Sequence, residues 1–266
     1  MPDRPLAAVG RPGVSRRPAL AFLRRHRFAL AIGGLIALLA VIVQQVLDYG
    51  YLVDLDYHVH ELRLDLRYPQ LYDPMFYLVM IGQRGPAAMV TGTIAVMLAW
   101  RFRTWRPILV LGGTLLALNL AVGGGKLYTA RLKPAEGTAD IFAGGIIFPS
   151  GHAANVVITW GIAVYLLGAY GVVRRRWIGT SIAAGASLIV GVGSIYLDTH
   201  WLSDILAGWA VGAIILMVAI RLDRRVTMSR IRELLRPSDD ELARRGHDDV
   251  AAGQDGDRVR SGGGGR

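Results

Sequence analysis

Cysteine is absent from all 266 residues, which excludes a disulfide framework and any thiolate metal site. Charge is scarce as well: Asp, Glu, Lys and Arg make up 19% of the chain against 53% for the apolar types, and mean hydropathy is positive. So little charge is unusual for a soluble domain of this length. The scarcity is also uneven. Residues 28–46, 108–122, 153–173, 178–192 and 205–220 hold almost no charged side chains. Each run approaches the ~20 residues that a helix needs to cross a hydrocarbon core. A small-residue cleavage site is missing after the first run, so it is expected to persist as an uncleaved first helix. The Ser15-Arg16-Arg17 triplet lacks the apolar pair of a twin-arginine signal and reads as flanking charge.

Residues 75–100 are less uniform, because Gln83, Arg84 and Pro86 interrupt them. A crossing over 85–100 with a shallow segment at 75–81 accommodates these residues and leaves Arg84 at the outer interface. The formal net charge is +10, with basic clusters at 4–27, 101–106, 174–176 and 221–236 and acids gathered at 48–73 and 136–140. Six spans bring every basic cluster to one side, which the positive-inside rule makes cytoplasmic. Both termini are then inside, segments 48–84, 126–152 and 197–203 face outward, and the charge pattern argues against nucleic acid as a partner.

The expected fold is all-α: an integral membrane six-helix bundle over residues 27–222, between a disordered basic tail (1–26) and a polar, disordered cytoplasmic tail (223–266). Between spans 1 and 2, residues 49–68 carry Tyr51, Leu55, Val59, Leu62 and Leu66 at helical spacing. This predicts an amphipathic helix lying on the outer face, stopped by Pro69. Gly208 and Gly212, with Gly185, Gly191 and Gly193, suit close helix packing.

Three polar segments fall at outward-facing span ends. In the first, Lys126 and Lys133 stand seven residues apart before Pro134, so a continuing helix presents both ammonium groups on one face, suited to an anion. In the second, Ser150 of Pro149-Ser150-Gly151-His152 occupies an N-cap position ahead of an apolar run. The free N–H groups of that helix end make an anion site, and Gly151 lets the backbone approach. In the third, His200 and Asp204 are spaced i, i+4, so the carboxylate can hold one ring nitrogen and leave the other nucleophilic. A histidine nucleophile, a second histidine as acid and cations for equatorial oxygens are what phosphoryl transfer requires. Gly123-Gly124-Gly125-Lys126 lacks the spacing of a P-loop, and His58-x-His60-Glu61 points its groups apart on a helix, so neither a nucleotide nor a metal is expected.

Over residues 73–220 the sequence resembles the type 2 phosphatidic acid phosphatase superfamily, which includes bacterial acid phosphatases and vanadium haloperoxidases. The family pattern is Lys-x6-Arg-Pro, Pro-Ser-Gly-His and Ser-Arg-x5-His-x3-Asp. The resemblance implies that His200 forms a phosphohistidine, Asp204 orients it and His152 protonates the leaving oxygen, with Lys126, Ser150 and the Gly151 N–H on phosphate oxygens. It implies no cofactor and no metal. Lys133 stands where the family has Arg, and Gly193-Ser194 replaces Ser-Arg. Each change removes a guanidinium fork. Arg131 or Arg84 are candidates to supply the missing charge, although Arg131 at an interface also suits lipid headgroups or a nearby acid such as Glu136.

The implied function is a plasma-membrane lipid phosphatase acting on a phosphatidate-type lipid or a polyprenyl diphosphate, with its active site at the extracytoplasmic face. The alternatives are a lipid-linked phosphotransferase, or a non-catalytic lipid-phosphate binder or transporter.

Overall fold

A computed structural model describes residues 17–234, and every regular element among the described residues is helical. The α-helices are α1 (Arg17–Leu47), α2 (Tyr51–Glu61), α3 (Leu64–Arg67), α4 (Tyr72–Val79), α5 (Arg84–Arg101), α6 (Arg106–Thr129), α7 (Gly151–Ala169), α8 (Arg176–Tyr196) and α9 (Leu202–Leu234). Five of them, α1, α6, α7, α8 and α9, are long and apolar enough to cross a membrane. The expected crossing at 85–100 is the 18-residue α5, which carries an arginine at each end and is not among those five. Helix α1 begins at Arg17, so residues 17–26 are helical where a disordered tail is expected; residues 1–16 lie outside the described residues. A second compact unit starts at Arg221. Its described part continues helically to Leu234, with Thr227 Oγ1 donating to the Asp223 carbonyl at 2.9 Å, and the rest of the expected C-terminal tail lies outside the described residues.

Helix α7 is the centre of the first unit. Four consecutive residues, Ala153 to Val156, are buried, so beyond Gly151 and His152 every side of the helix is covered. Helices α5, α6 and α8 pack against it. Ala95 and Leu98 of α5 and Leu111 of α6 meet Ile162, Tyr165 and Leu166 in one cluster, and Leu118 and Val122 meet Ala154 and Ile158 in another. Leu109, Leu116 and Leu120 of α6 point away from this core and are exposed, as suits a surface solvated by lipid tails.

Helix α9 reaches α7 through glycine. A Cβ on Gly208 would lie 2.6 Å from the Ser150 carbonyl oxygen, and one on Gly212 would lie 2.9 Å from that of Ala154. Gly191 admits Trp209 and Ile205, and Gly193 admits Val79, so α8 uses glycine in the same way. Gly185 does not: nothing stands within 4 Å of the position its Cβ would take.

The segment after α1 is two helices where one is expected. Residues 49–68 form α2 and α3, broken at Arg63, which adopts a left-handed φ of 42°. Val53 and Asp56 are the buried residues of α2, whereas Tyr51, Leu62 and Leu66 of the apolar stripe are exposed. On the inner side Val53 packs against Ala139 and Trp201, while Asp56 meets the polar groups described below.

Replacing Gly208 by Val is expected to push α9 away from the start of α7 and to cost about 1–3 kcal/mol. Thermal unfolding in detergent should fall for Gly208→Val and stay at the parent value for Gly185→Ala.

Candidate active site

The polar segments converge because of where the helices stop. Helix α6 ends at Thr129, since Ala130 turns left-handed with φ 44°. The Ala130 carbonyl accepts from the N–H groups of Ala143 and Gly145, at 3.1 and 2.9 Å, which folds the following loop back under the helix end. Gly145 is obligatory in this fold: a Cβ there would fall within 1.9 Å of the Arg131 carbonyl oxygen. The loop delivers Ser150 to the start of α7, where its Oγ accepts from Ala153 N–H at 3.3 Å as the helix cap. Ser150 N–H in turn donates to the Asp204 carbonyl at 2.9 Å, tying this cap to the first turn of α9.

His200 lies just ahead of α9 and not on it, because the helix begins at Leu202. The expected pairing with Asp204 is still made, across the helix start. Asp204 Oδ2 stands 3.3 Å from His200 Nδ1 and accepts the Trp201 N–H at 3.0 Å. A proton on Nδ1 facing the carboxylate leaves Nε2 unprotonated. The rings of His152 and His200 meet edge to face with centroids 5.9 Å apart. Gly151 lies beside them, and a Cβ built on it would be 3.7 Å from Arg84 Nη2 and 4.0 Å from Lys126 Cε. Two histidines, two cations and a capped helix N-terminus therefore share one small region.

Behind it lies a buried ionic network. Arg131 is fully buried and donates from all three guanidinium nitrogens: Nη1 to Asp204 Oδ1 at 2.8 Å and to Ser203 Oγ at 2.7 Å, Nη2 to Asp56 Oδ2 at 2.8 Å, and Nε to the Ala139 carbonyl at 3.3 Å. Asp56 also accepts from the Ser203 N–H, at 2.8 Å, and from the Ser203 hydroxyl. Burial pushes the Asp56 carboxyl above the usual carboxylate range, outweighing the pull of Arg131. Trp201 covers the guanidinium at 5.6 Å and donates through Nε1 to the Leu132 carbonyl. Tyr57 stands edge-on to Trp201 and accepts the Ala139 N–H at 2.9 Å.

His152, His200, Asp204, Lys126, Ser150 and Gly151 thus come together, and two expected residues do not. Arg131 is engaged with carboxylates, so it is an internal tie and not a phosphate ligand; its partners are Asp56 and Asp204, not Glu136. Lys133 is exposed in an extended segment beyond the end of α6, so it shares no helical face with Lys126. Ser194, at the position of the family arginine, is buried with its hydroxyl donating to the Val190 carbonyl. Sequence reasoning missed Asp56 and Ser203. The only signal for Asp56 was an acid one turn after Val53 on a helix otherwise rich in acids.

A family model described as the PAP2 superfamily matches residues 87–228. Phosphatidylglycerophosphatase B of Bacillus subtilis (strain 168) is 24% identical over 172 residues, spanning 62% of this chain and 81% of that protein. A solved crystal structure, of a transmembrane PAP2 type phosphatidylglycerolphosphate phosphatase from Bacillus subtilis, superposes with a TM-score of 0.60. That superposition covers 72% of this chain and 96% of the other at 19% identity.

Arg131→Ala strands two buried carboxylates, and its expected cost is about 3–5 kcal/mol. Chemical unfolding in detergent should register that loss, while Lys133→Ala leaves the transition unmoved.

Proposed function

Because this chain belongs to the PAP2 superfamily, we propose that it is a multi-pass membrane lipid phosphatase working through a phosphohistidine on His200. The observation that carries this reading is the pairing of His200 and His152 at 5.9 Å, with Asp204 on Nδ1 of His200. In the first step Nε2 of His200 attacks phosphorus while the bond to the lipid oxygen breaks and His152 gives that oxygen its proton. In the second step His152 takes a proton from water, whose oxygen displaces His200 and releases inorganic phosphate. Lys126, the Ser150 hydroxyl and the Gly151 N–H hold the equatorial oxygens as charge builds on them.

The substrate is a lipid carrying a terminal phosphate. A phosphatidylglycerophosphate-type lipid is the first to test, given what the relatives are named for, and a polyprenyl diphosphate is the second. Residues 27–222 form the membrane unit, with α5 as a sixth and shortest span beside α6 and α7. Both termini are cytoplasmic on the positive-inside rule, because the basic stretches at 101–106 and 174–176 lie at the opposite helix ends from His200. The active site therefore opens on the extracytoplasmic face of the plasma membrane, with α2 lying along that surface and its exposed Tyr51, with Leu62 just beyond it, toward lipid.

Purified protein in detergent micelles should release inorganic phosphate from a panel of lipid phosphates, and His200→Ala should lower the rate by at least ~10³-fold. Acid-labile, base-stable phosphate should appear on the parent chain during turnover. Equal release by parent and His200→Ala would discard the mechanism.

A further inference from the structure

The family pattern asks for a guanidinium at position 194, and this chain has a serine there. Three arginine or lysine side chains stand near enough in sequence or space to be weighed as its replacement. Arg131 is consumed by Asp56 and Asp204. Lys133 is exposed in the loop beyond α6. Arg84 remains, and its Nη2 lies 3.7 Å from the position that a Cβ on Gly151 would occupy, on the side where Lys126 Cε also stands.

Its backbone is held in place from several directions. Arg84 is the first residue of α5, directly after the 3₁₀ turn Met80–Gly82 and the cap residue Gln83. The Gly82 carbonyl accepts from the buried Asn155 Nδ2 at 3.0 Å, and the Ile81 carbonyl from Trp160 Nε1 at 3.4 Å, so α7 grips this turn. Gly82 has no room for a side chain: a Cβ would lie 2.6 Å from Val190 Cγ1 and 3.2 Å from the His152 carbonyl oxygen. Val190 is the residue whose carbonyl takes the Ser194 hydroxyl. The turn that launches Arg84 is therefore wedged between the backbone of the second histidine motif and the very turn of α8 that lost its arginine.

Arg84 keeps its Nη2 3.7 Å from that position at Gly151, the residue before His152, with Lys126 Cε 4.0 Å from the same point. Among the described residues no carboxylate forms an ion pair with it. An arginine that shares this small region with a lysine and two histidines, and has no ion-pair partner of its own among the described residues, is arranged for an anion that arrives from outside.

We propose that Arg84 is a phosphoryl-binding residue of this site, its guanidinium taking from the start of α5 the place of the arginine that Ser194 replaces. The inference rests on the phosphatase reading above for its substrate, a lipid phosphate ester. Arg84 and Lys126 then grip non-bridging oxygens from one side while the start of α7 holds the others. Position 84 lies ahead of residues 87–228, the stretch that the family model matches, so the family pattern does not mark it.

The test compares parent, Arg84→Ala, Arg84→Lys and His200→Ala in detergent, by phosphate release and by calorimetric titration with orthovanadate. Arg84 is exposed, so its variants should keep the parental unfolding midpoint. Arg84→Ala should lower kcat/KM by about 10²–10³-fold and weaken orthovanadate at least tenfold, with Arg84→Lys between it and the parent. Parental turnover and orthovanadate affinity in Arg84→Ala, beside a silent His200→Ala, would overturn the role of Arg84 and leave the phosphatase reading standing. If the parent releases no phosphate from any lipid, that reading falls; orthovanadate binding that depends on Arg84 would still support the anion site, and binding that ignores Arg84 would overturn it.

Discussion

One buried guanidinium organises this end of the molecule. Arg131 joins α2 through Asp56, the first turn of α9 through Ser203 and Asp204, and the loop before α7 through the Ala139 carbonyl. Taking these charges out of water costs several kcal/mol per ion, and their attraction offsets this only when every lone pair and proton finds a partner. Here the carboxylate oxygens are matched to the guanidinium, to Ser203, to the Trp201 N–H and to His200. Such an arrangement contributes less to stability than to uniqueness of geometry, because each displaced partner leaves a buried charge behind.

The helices supply the second constraint, which is distance. Glycines at 208 and 212 let α9 approach the backbone of α7, and the Ser150 N–H closes the contact on the Asp204 carbonyl. The cap at the start of α7 and the carboxylate that holds His200 are thus parts of one hydrogen-bonded unit. Preorganisation of this kind is what electrostatic stabilisation of a phosphoryl transition state needs, since donors that must first move lose much of their effect.

Much of this was legible in the order of residues. Apolar runs mark the long helices, and the i, i+4 spacing of His200 and Asp204, with the cap signature at Ser150, marks most of the site. What failed were inferences that needed long-range contacts. Lys126 and Lys133 have the spacing of one helical face, but a left-handed Ala130 ends the helix between them. The apolar stripe of residues 49–68 is legible, but the inward place of Asp56 depends on Arg131, a partner 75 residues away. Arg84 could be suspected from its position at a span end, but its approach to Gly151 depends on a tight turn seated against Val190, which no local pattern encodes.

The sharing of Asp204 has a genetic corollary. One of its oxygens belongs to Arg131 and the other to His200, so the acid on α2 is linked to the imidazole of His200 through two intermediaries. On the proposed mechanism, a lesion at that distant acid would masquerade as damage to the histidine itself, and a screen for inactive alleles would collect the two as a single class.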